Sequence, residues 1–254
     1  MSGTDRYAYA SKVRSSDPVT KILVSLGMMF ICIVLDDILV SLVTIVAMSA
    51  CNMWMGGHRA RDIWRMLRIP MGFIFLGVIT IAVGRYDPSA NLIAGFKAGN
   101  HLYGISQKGA LEAISISAKS LGVISSVYFL VMNTPMTDIT LALSKMHVPA
   151  LFVELLELVY RFIFVLADTA EKIKTAQSSR LGYVDMKTSY RSTADLISRV
   201  FMSSFRKADN IYDALESRGY TGELRTVGYE YEIDTNITFV AIAVALLQIG
   251  AYMI

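Results

Sequence analysis

Five apolar runs, the first of them short for a membrane-crossing helix, limit what this chain can fold into. The first is Ile22–Leu35, stopped by Asp36-Asp37, and the second follows at once from Ile38 to about Met55, closed by Gly56-Gly57. The third is IPMGFIFLGVITIAVG, Ile69–Gly84, the fourth runs from about Leu111 to Met132, and the last is Ile237–Ile254. A bilayer needs about 20 apolar residues per helical span, fewer where a helix end is sheltered by protein. With 54% hydrophobic residues among 254, the composition exceeds that of soluble domains. Yet 18% charged residues is too many for a chain held wholly in lipid. The expected fold is therefore an all-α integral membrane protein with about five transmembrane helices and a substantial part outside the hydrocarbon. Arg85 to Ala110, between the third and fourth spans, reads as a mixed loop with room for a partial helix.

Arginine and lysine set the orientation, because cytoplasmic loops carry an excess of them. Arg6, Lys12, Arg14 and Lys21 lie before the first span, and Arg59, Arg61, Arg65 and Arg68 lie between the second and third. The turn between the first two spans offers only Asp36 and Asp37. The N-terminus is expected in the cytoplasm and the C-terminus outside. Nothing at the start resembles a cleaved signal peptide, since MSGTDRYAYASKVRSSDPVT lacks an apolar core.

Three regions are expected: a four-span bundle over 1–132, a cytoplasmic segment over 133–234, and a final span over 235–254. The middle one holds 12 of the 24 basic residues. MTDITLALSKMHVP can form a short amphipathic helix with Thr137 or Asp138 near its start. From Pro149 to Arg180, apolar residues recur at helical spacing opposite Glu157–Arg161 and Asp168–Lys172 pairs in the favoured i,i+4 order. That helix would be about 48 Å long at about 1.5 Å per residue. A further helix carries Leu196, Ile197, Val200, Phe201, Phe205, Ile211, Tyr212 and Leu215 on one side and ends at Arg218, with Gly219 as its terminator.

The net charge of +3 is too small to suggest a nucleic-acid partner. Cys32 and Cys51 sit in apolar runs and read as small core residues, and His58, His101 and His147 have no ligand spacing, so no metal site is expected. There is no Gly-x-x-x-x-Gly-Lys-Ser/Thr phosphate loop, and no nucleophile with a base that would make an intramembrane enzyme. A self-contained secondary transporter or channel needs ionisable residues along several spans; Lys119, with Asp36 and Asp37 at an edge, is the clearest internal charge.

The two helix ends are built alike. TAQSSRLGY (Thr175–Tyr183) and DALESRGYTGE (Asp213–Glu223) each carry Ala-x-x-Ser-Arg followed by glycine and tyrosine. One such arginine is explained by the helix macrodipole alone. Two, in a segment with no catalytic motif, suggest two sockets on partners, since arginine suits multidentate pairing with acidic groups or carbonyls.

These stretches, together with DRYAYASKVRSSDPVTKIL, NTPMTDITLALSKMHVP and LVYRFIFVLADTAEKIKTAQSSR, resemble the transmembrane T component of energy-coupling factor transporters, in particular the CbiQ-like subunits of cobalt importers. The resemblance covers almost the whole chain. It implies a non-catalytic, multi-pass subunit of the cell membrane that binds no cofactor itself. Its two coupling helices would end in Ala-Arg-Gly-like motifs docked into grooves on two ATP-binding subunits, which hold the ATP. Carried over, the ATPase-binding residues are Ser179, Arg180 and Leu181 and then Ser217, Arg218 and Gly219. The first motif departs from the pattern: Leu181 stands where glycine belongs and Gly182 follows, and serine replaces the motif alanine in both. A membrane-embedded substrate-binding subunit would select the cargo, with cobalt favoured and nickel or a vitamin as alternatives.

Overall fold

The computed structural model describes residues 5–86, 92–98, 101–220, 231 and 235–253. The described residues up to Ile139 form one compact unit together with the C-terminal helix, and those from Thr140 to Tyr220 form another.

In the first unit a short helix α1 (Asp5–Ala10) precedes α2 (Pro18–Leu35) and α3 (Ile38–Trp54). Helix α2 starts earlier than its apolar run: the Asp17 carboxylate accepts from the Thr20 N–H at 3.2 Å, and Pro18 occupies the first turn, where its missing N–H costs nothing. The Asp36-Asp37 pair does two jobs at the other end. Asp36 adopts a left-handed conformation (φ 45°) that stops α2, and the Asp37 side chain accepts from the Leu39 N–H at 3.0 Å to cap α3.

Helix α4 spans Ala60–Ala82, so three of the four arginines expected in a loop, Arg61, Arg65 and Arg68, lie in its first three turns. Pro70 lies inside it. A proline there has no N–H for the carbonyl four residues back, that of Met66. The Tyr128 hydroxyl, from helix α5 (Gln107–Asn133), donates to this carbonyl at 3.1 Å. The kink-prone position is thereby satisfied from outside its own helix.

Between α4 and α5 the partial-helix expectation gives way to a sheet. Strands β1 (Val83–Tyr86), β2 (Leu92–Ala98) and β3 (His101–Ser106) form an antiparallel sheet in the order β1-β3-β2. Gly84, Gly104 and Gly95 fall in one row across it. The segment is too rich in glycine to show a helical period, while Ile, Phe and Tyr suit strands. Outside this sheet the described elements are helical, as expected.

Helix α5 is the axis of the bundle, packed against α2, α3 and α4. Close approach needs Gly122, where a Cβ would stand 2.9 Å from the Cys32 sulfur and 3.3 Å from the Ser41 carbonyl. The last helix, α9 (Thr235–Tyr252), packs on α2 and α3, burying Val244 with Met28, Met48 and Phe129, while the Gln248 amide donates to the Thr44 hydroxyl at 2.7 Å. At the base of α5, fully buried Asn133 joins four segments. Its amide donates to Asn52 Oδ1 (2.8 Å) and the Phe129 carbonyl (2.7 Å), its Oδ1 accepts from Ser11 (2.7 Å), and its carbonyl accepts from buried Lys21 (3.4 Å).

Three described helices are long and apolar enough to cross a membrane: Pro18–Leu35, Ala60–Ile81 and Gly109–Asn133. The remaining two of the five expected spans, Ile38–Trp54 and Ile237–Tyr252, are apolar and shorter. Lys119 is not a lone internal charge, because its ammonium meets the Asp36 carboxylate at 2.8 Å.

Candidate functional site

Helix α6 (Met136–Lys145) leads into the second unit, which is dominated by α7 (Ala150–Ser179) and α8 (Met186–Glu216). The two run antiparallel, as three cross-helix hydrogen bonds show. Gln177 donates to the Ser192 carbonyl (2.9 Å), Lys207 to the Thr169 hydroxyl (2.8 Å), and the Tyr220 hydroxyl to Glu154 (2.6 Å). One partner number falls as the other rises. At about 1.5 Å per residue, α8 is about 46 Å long. Arg180 therefore sits at the turn of the hairpin and Arg218 at the far end of α8.

Both arginines occupy the same place in the same termination. After α7, Leu181 is left-handed (φ 59°); its N–H donates to the Ser178 carbonyl (3.0 Å) and that of Gly182 to Gln177 (2.8 Å). After α8, Gly219 is left-handed (φ 75°); its N–H donates to Glu216 (2.9 Å) and that of Tyr220 to Leu215 (3.0 Å). This is the Schellman arrangement, with the arginine as the last residue before the left-handed one. The flanking serines are matched too: Ser179 donates to Thr175 (3.1 Å) and Ser217 to Ala214 (2.9 Å), each folded back on its own helix. All six motif residues are exposed. Among the described residues neither guanidinium has an ion pair or hydrogen bond.

The termination alone does not mark a site. Helix α6 ends the same way, with His147 left-handed (φ 62°) and N–H bonds from His147 to Ser144 and from Val148 to Leu143. There the capping residue is Met146. What α7 and α8 share beyond a stop is the outward guanidinium.

The departure at Leu181 has a physical reason. The turn needs glycine for space, one residue on: a Cβ at buried Gly182 would lie 2.8 Å from both the Gln177 carbonyl and the Ser192 hydroxyl. Ser192 donates to the Gly182 carbonyl (2.7 Å) and the Tyr183 hydroxyl to Gln177 (2.8 Å), so the turn below Arg180 is rigidly braced. Asp185 caps α8 through the Thr188 N–H at 2.6 Å, and these bonds hold its carboxyl below the usual carboxylate range. At the other end, Tyr220 is fixed on Glu154, which is largely buried. These braces were not foreseen; a tyrosine after each arginine was visible, but not its acceptor.

Elsewhere the hairpin is looser. A cavity of about 120 Å³ lies between α7 and α8, lined by Phe162, Leu166, Ser204, Lys207, Ala208 and Ile211. Of the two i,i+4 pairs, Asp168–Lys172 forms at 2.7 Å, raising the Lys172 pKa; among the described residues Glu157–Arg161 does not. Phe152, Leu155, Val159 and Ile163 on α7, and Ile197, Phe201 and Phe205 on α8, are at least half exposed. Large apolar stripes of this kind ask for lipid or a partner. Among the described residues no group of three or more His, Cys, Asp or Glu is placed to hold a metal ion.

Residues 10–227 match the family of the cobalt transport protein CbiQ. The chain is 32% identical over 226 residues to the cobalt transport protein CbiQ of Salmonella typhimurium, covering 88% of this chain and 99% of that protein. It is 25% identical to CbiQ of Rhodobacter capsulatus, over 89% of this chain and 88% of that one. It is also 27% identical over 136 residues to the energy-coupling factor transporter transmembrane protein EcfT of Staphylococcus aureus, covering 49% and 51% of the two chains.

Proposed function

The chain belongs to the CbiQ family of cobalt transport proteins, T components of energy-coupling factor transporters, and on that premise we propose how it couples ATP to uptake. It is a membrane transport component and its relatives are not enzymes. Two ATP-binding subunits hydrolyse ATP, and a separate membrane subunit carries the ion, with cobalt as the cargo. The N-terminus and the α7–α8 hairpin face the cytoplasm, and α9 carries the C-terminus outside.

One observation carries this proposal: two arginines in matching helix caps, both exposed, are separated by the length of α8. Sites about 46 Å apart, the length of α8, cannot form one catalytic centre, whereas they suit two copies of a similar socket. Closure of the ATP-binding subunits on ATP would then move the two ends relative to each other. The braced turn at Gln177, Gly182 and Ser192 makes the Arg180 end a rigid handle, and the Tyr220–Glu154 bond ties the Arg218 end to the start of α7. Packed helices shift as units, so the hairpin can act as a lever on the ion-carrying subunit, with the exposed apolar stripes as contact surface.

The test is reconstitution. Vesicles containing this protein, two ATP-binding subunits and a substrate-binding subunit should accumulate Co²⁺ only with ATP and only with all parts present. Accumulation by this chain alone would contradict the proposal.

A further inference from the structure

The first turns of α4 carry a feature that coupling does not use. Arg61, Arg65 and Arg68 recur at helical spacing on one face, and all three are exposed. Among the described residues none of them has an ion pair. Asp62, the only acid in α4, is turned elsewhere and accepts from the Tyr7 hydroxyl at 3.3 Å. Trp64 flanks the arginines and is 58% exposed, as suits a ring at headgroup depth.

Continued along the helix, the arginine face changes character. Gly72 comes next, with no described atom within 4 Å of where its Cβ would be, and then Phe75 and Leu76, which are 66% and 62% exposed. A cationic patch, an open notch and an apolar track thus succeed one another on a single face of a membrane-crossing helix. Generic positive flanking charge needs no such alignment, nor a glycine at the junction.

We infer that this face of α4 is a binding site for an anionic phospholipid, its phosphate held by the three guanidiniums and an acyl chain laid over Gly72 along Phe75 and Leu76. Guanidinium is suited to phosphate because its planar donors engage two oxygens at once. A protein partner is the less fitting occupant, since the apolar half of the track lies on a helix long enough to cross the bilayer. The inference rests on membrane residence alone and not on the coupling role of Arg180 and Arg218.

The protein has two tryptophans, so Trp54→Phe, at a 91% exposed position, leaves Trp64 as a single reporter. The full chain in a neutral detergent is titrated with phosphatidylglycerol, with phosphatidylcholine, and with glycerol phosphate. Phosphatidylglycerol should give a saturable change in Trp64 fluorescence that the other two do not match. Each arginine near a charged headgroup contributes about a fivefold gain in affinity, so R61Q/R65Q/R68Q should bind about a hundredfold more weakly. R191Q/R199Q/R206Q on α8 should bind as the parent does. Gly72→Leu keeps every charge and fills open space, and should weaken lipid binding several-fold. The inference is overturned if the R61Q/R65Q/R68Q protein binds within twofold of the parent, or if glycerol phosphate binds as well as the lipid. It is equally overturned if that variant keeps its lipid affinity and instead loses the ATP-binding subunits on co-purification.

Discussion

The hydroxyl of Tyr128 donates at 3.1 Å to the carbonyl of Met66, the acceptor that Pro70 leaves without a helical partner. A proline inside a membrane-spanning helix is tolerated where a neighbour supplies the missing donor. Tyr128→Phe should therefore destabilise the bundle by about 1 kcal/mol, as interhelical hydrogen bonds in membranes do. Restoring the N–H with Pro70→Ala should remove most of that penalty, and a double-mutant cycle by steric trapping or chemical denaturation measures the difference. Equal losses in both backgrounds would mean that the bond and the proline are unrelated.

The two arginine caps make opposite demands on glycine. Leu181 holds a left-handed conformation that costs a non-glycine residue roughly 1–2 kcal/mol, so Leu181→Gly should slow amide exchange around the α7–α8 turn. Gly182→Ala should do the reverse, because its Cβ would strike backbone at 2.8 Å. Gly219→Ala meets no neighbour among the described residues and should cost only the conformational term. Hydrogen exchange of Ser178 to Tyr183 and of Leu215 to Tyr220 reads all three.

Much of this was legible in the chain. The repeated Ser-Arg ends, the Asp36-Asp37 turn and the apolar runs each rest on local chemistry that a sequence displays. Helix α7 ends within a residue of its expected bounds because Pro149 and the break after Arg180 are local signals. Boundaries failed where a charge is buried or a helix leaves the lipid. Lys21 is fully buried, so α2 begins at Pro18 and not at Ile22, and α4 begins nine residues before its apolar run. The sheet at 83–106 was missed because its pairing is between strands and glycine interrupts every run. Leu181 gave no sign of a left-handed backbone; only the close packing of Gly182 against Ser192 explains why the glycine is displaced. Partners such as Tyr220 and Glu154, 66 residues apart, have no sequence signature at all.

Asp185 predicts a pH dependence. Its carboxyl is held below the usual carboxylate range, chiefly by the hydrogen bond from the Thr188 N–H. A depressed folded-state pKa gives stability that is present above the unfolded value and is lost as pH falls through the folded one. The start of α8 should therefore stay ordered at neutral pH and fray as pH drops below about 4, and Asp185→Asn should flatten that dependence. Exchange rates at Thr188 and Ser189 between pH 3 and 6 measure it, and a profile unchanged in the variant would assign the fraying to another group.

The most direct test returns to the two guanidiniums. Arg180→Glu, Arg218→Glu and the double variant are compared for co-purifying ATP-binding subunits and for Co²⁺ uptake in cells. Breaking a docked charged contact costs about 2–5 kcal/mol, against about 0.3–1 kcal/mol for a helix-end charge that serves only its own helix. Each single variant should lose most uptake while some complex survives, and the double variant should fail to assemble. A double variant that assembles and imports Co²⁺ as the parent does would reduce both arginines to helix caps and contradict the account.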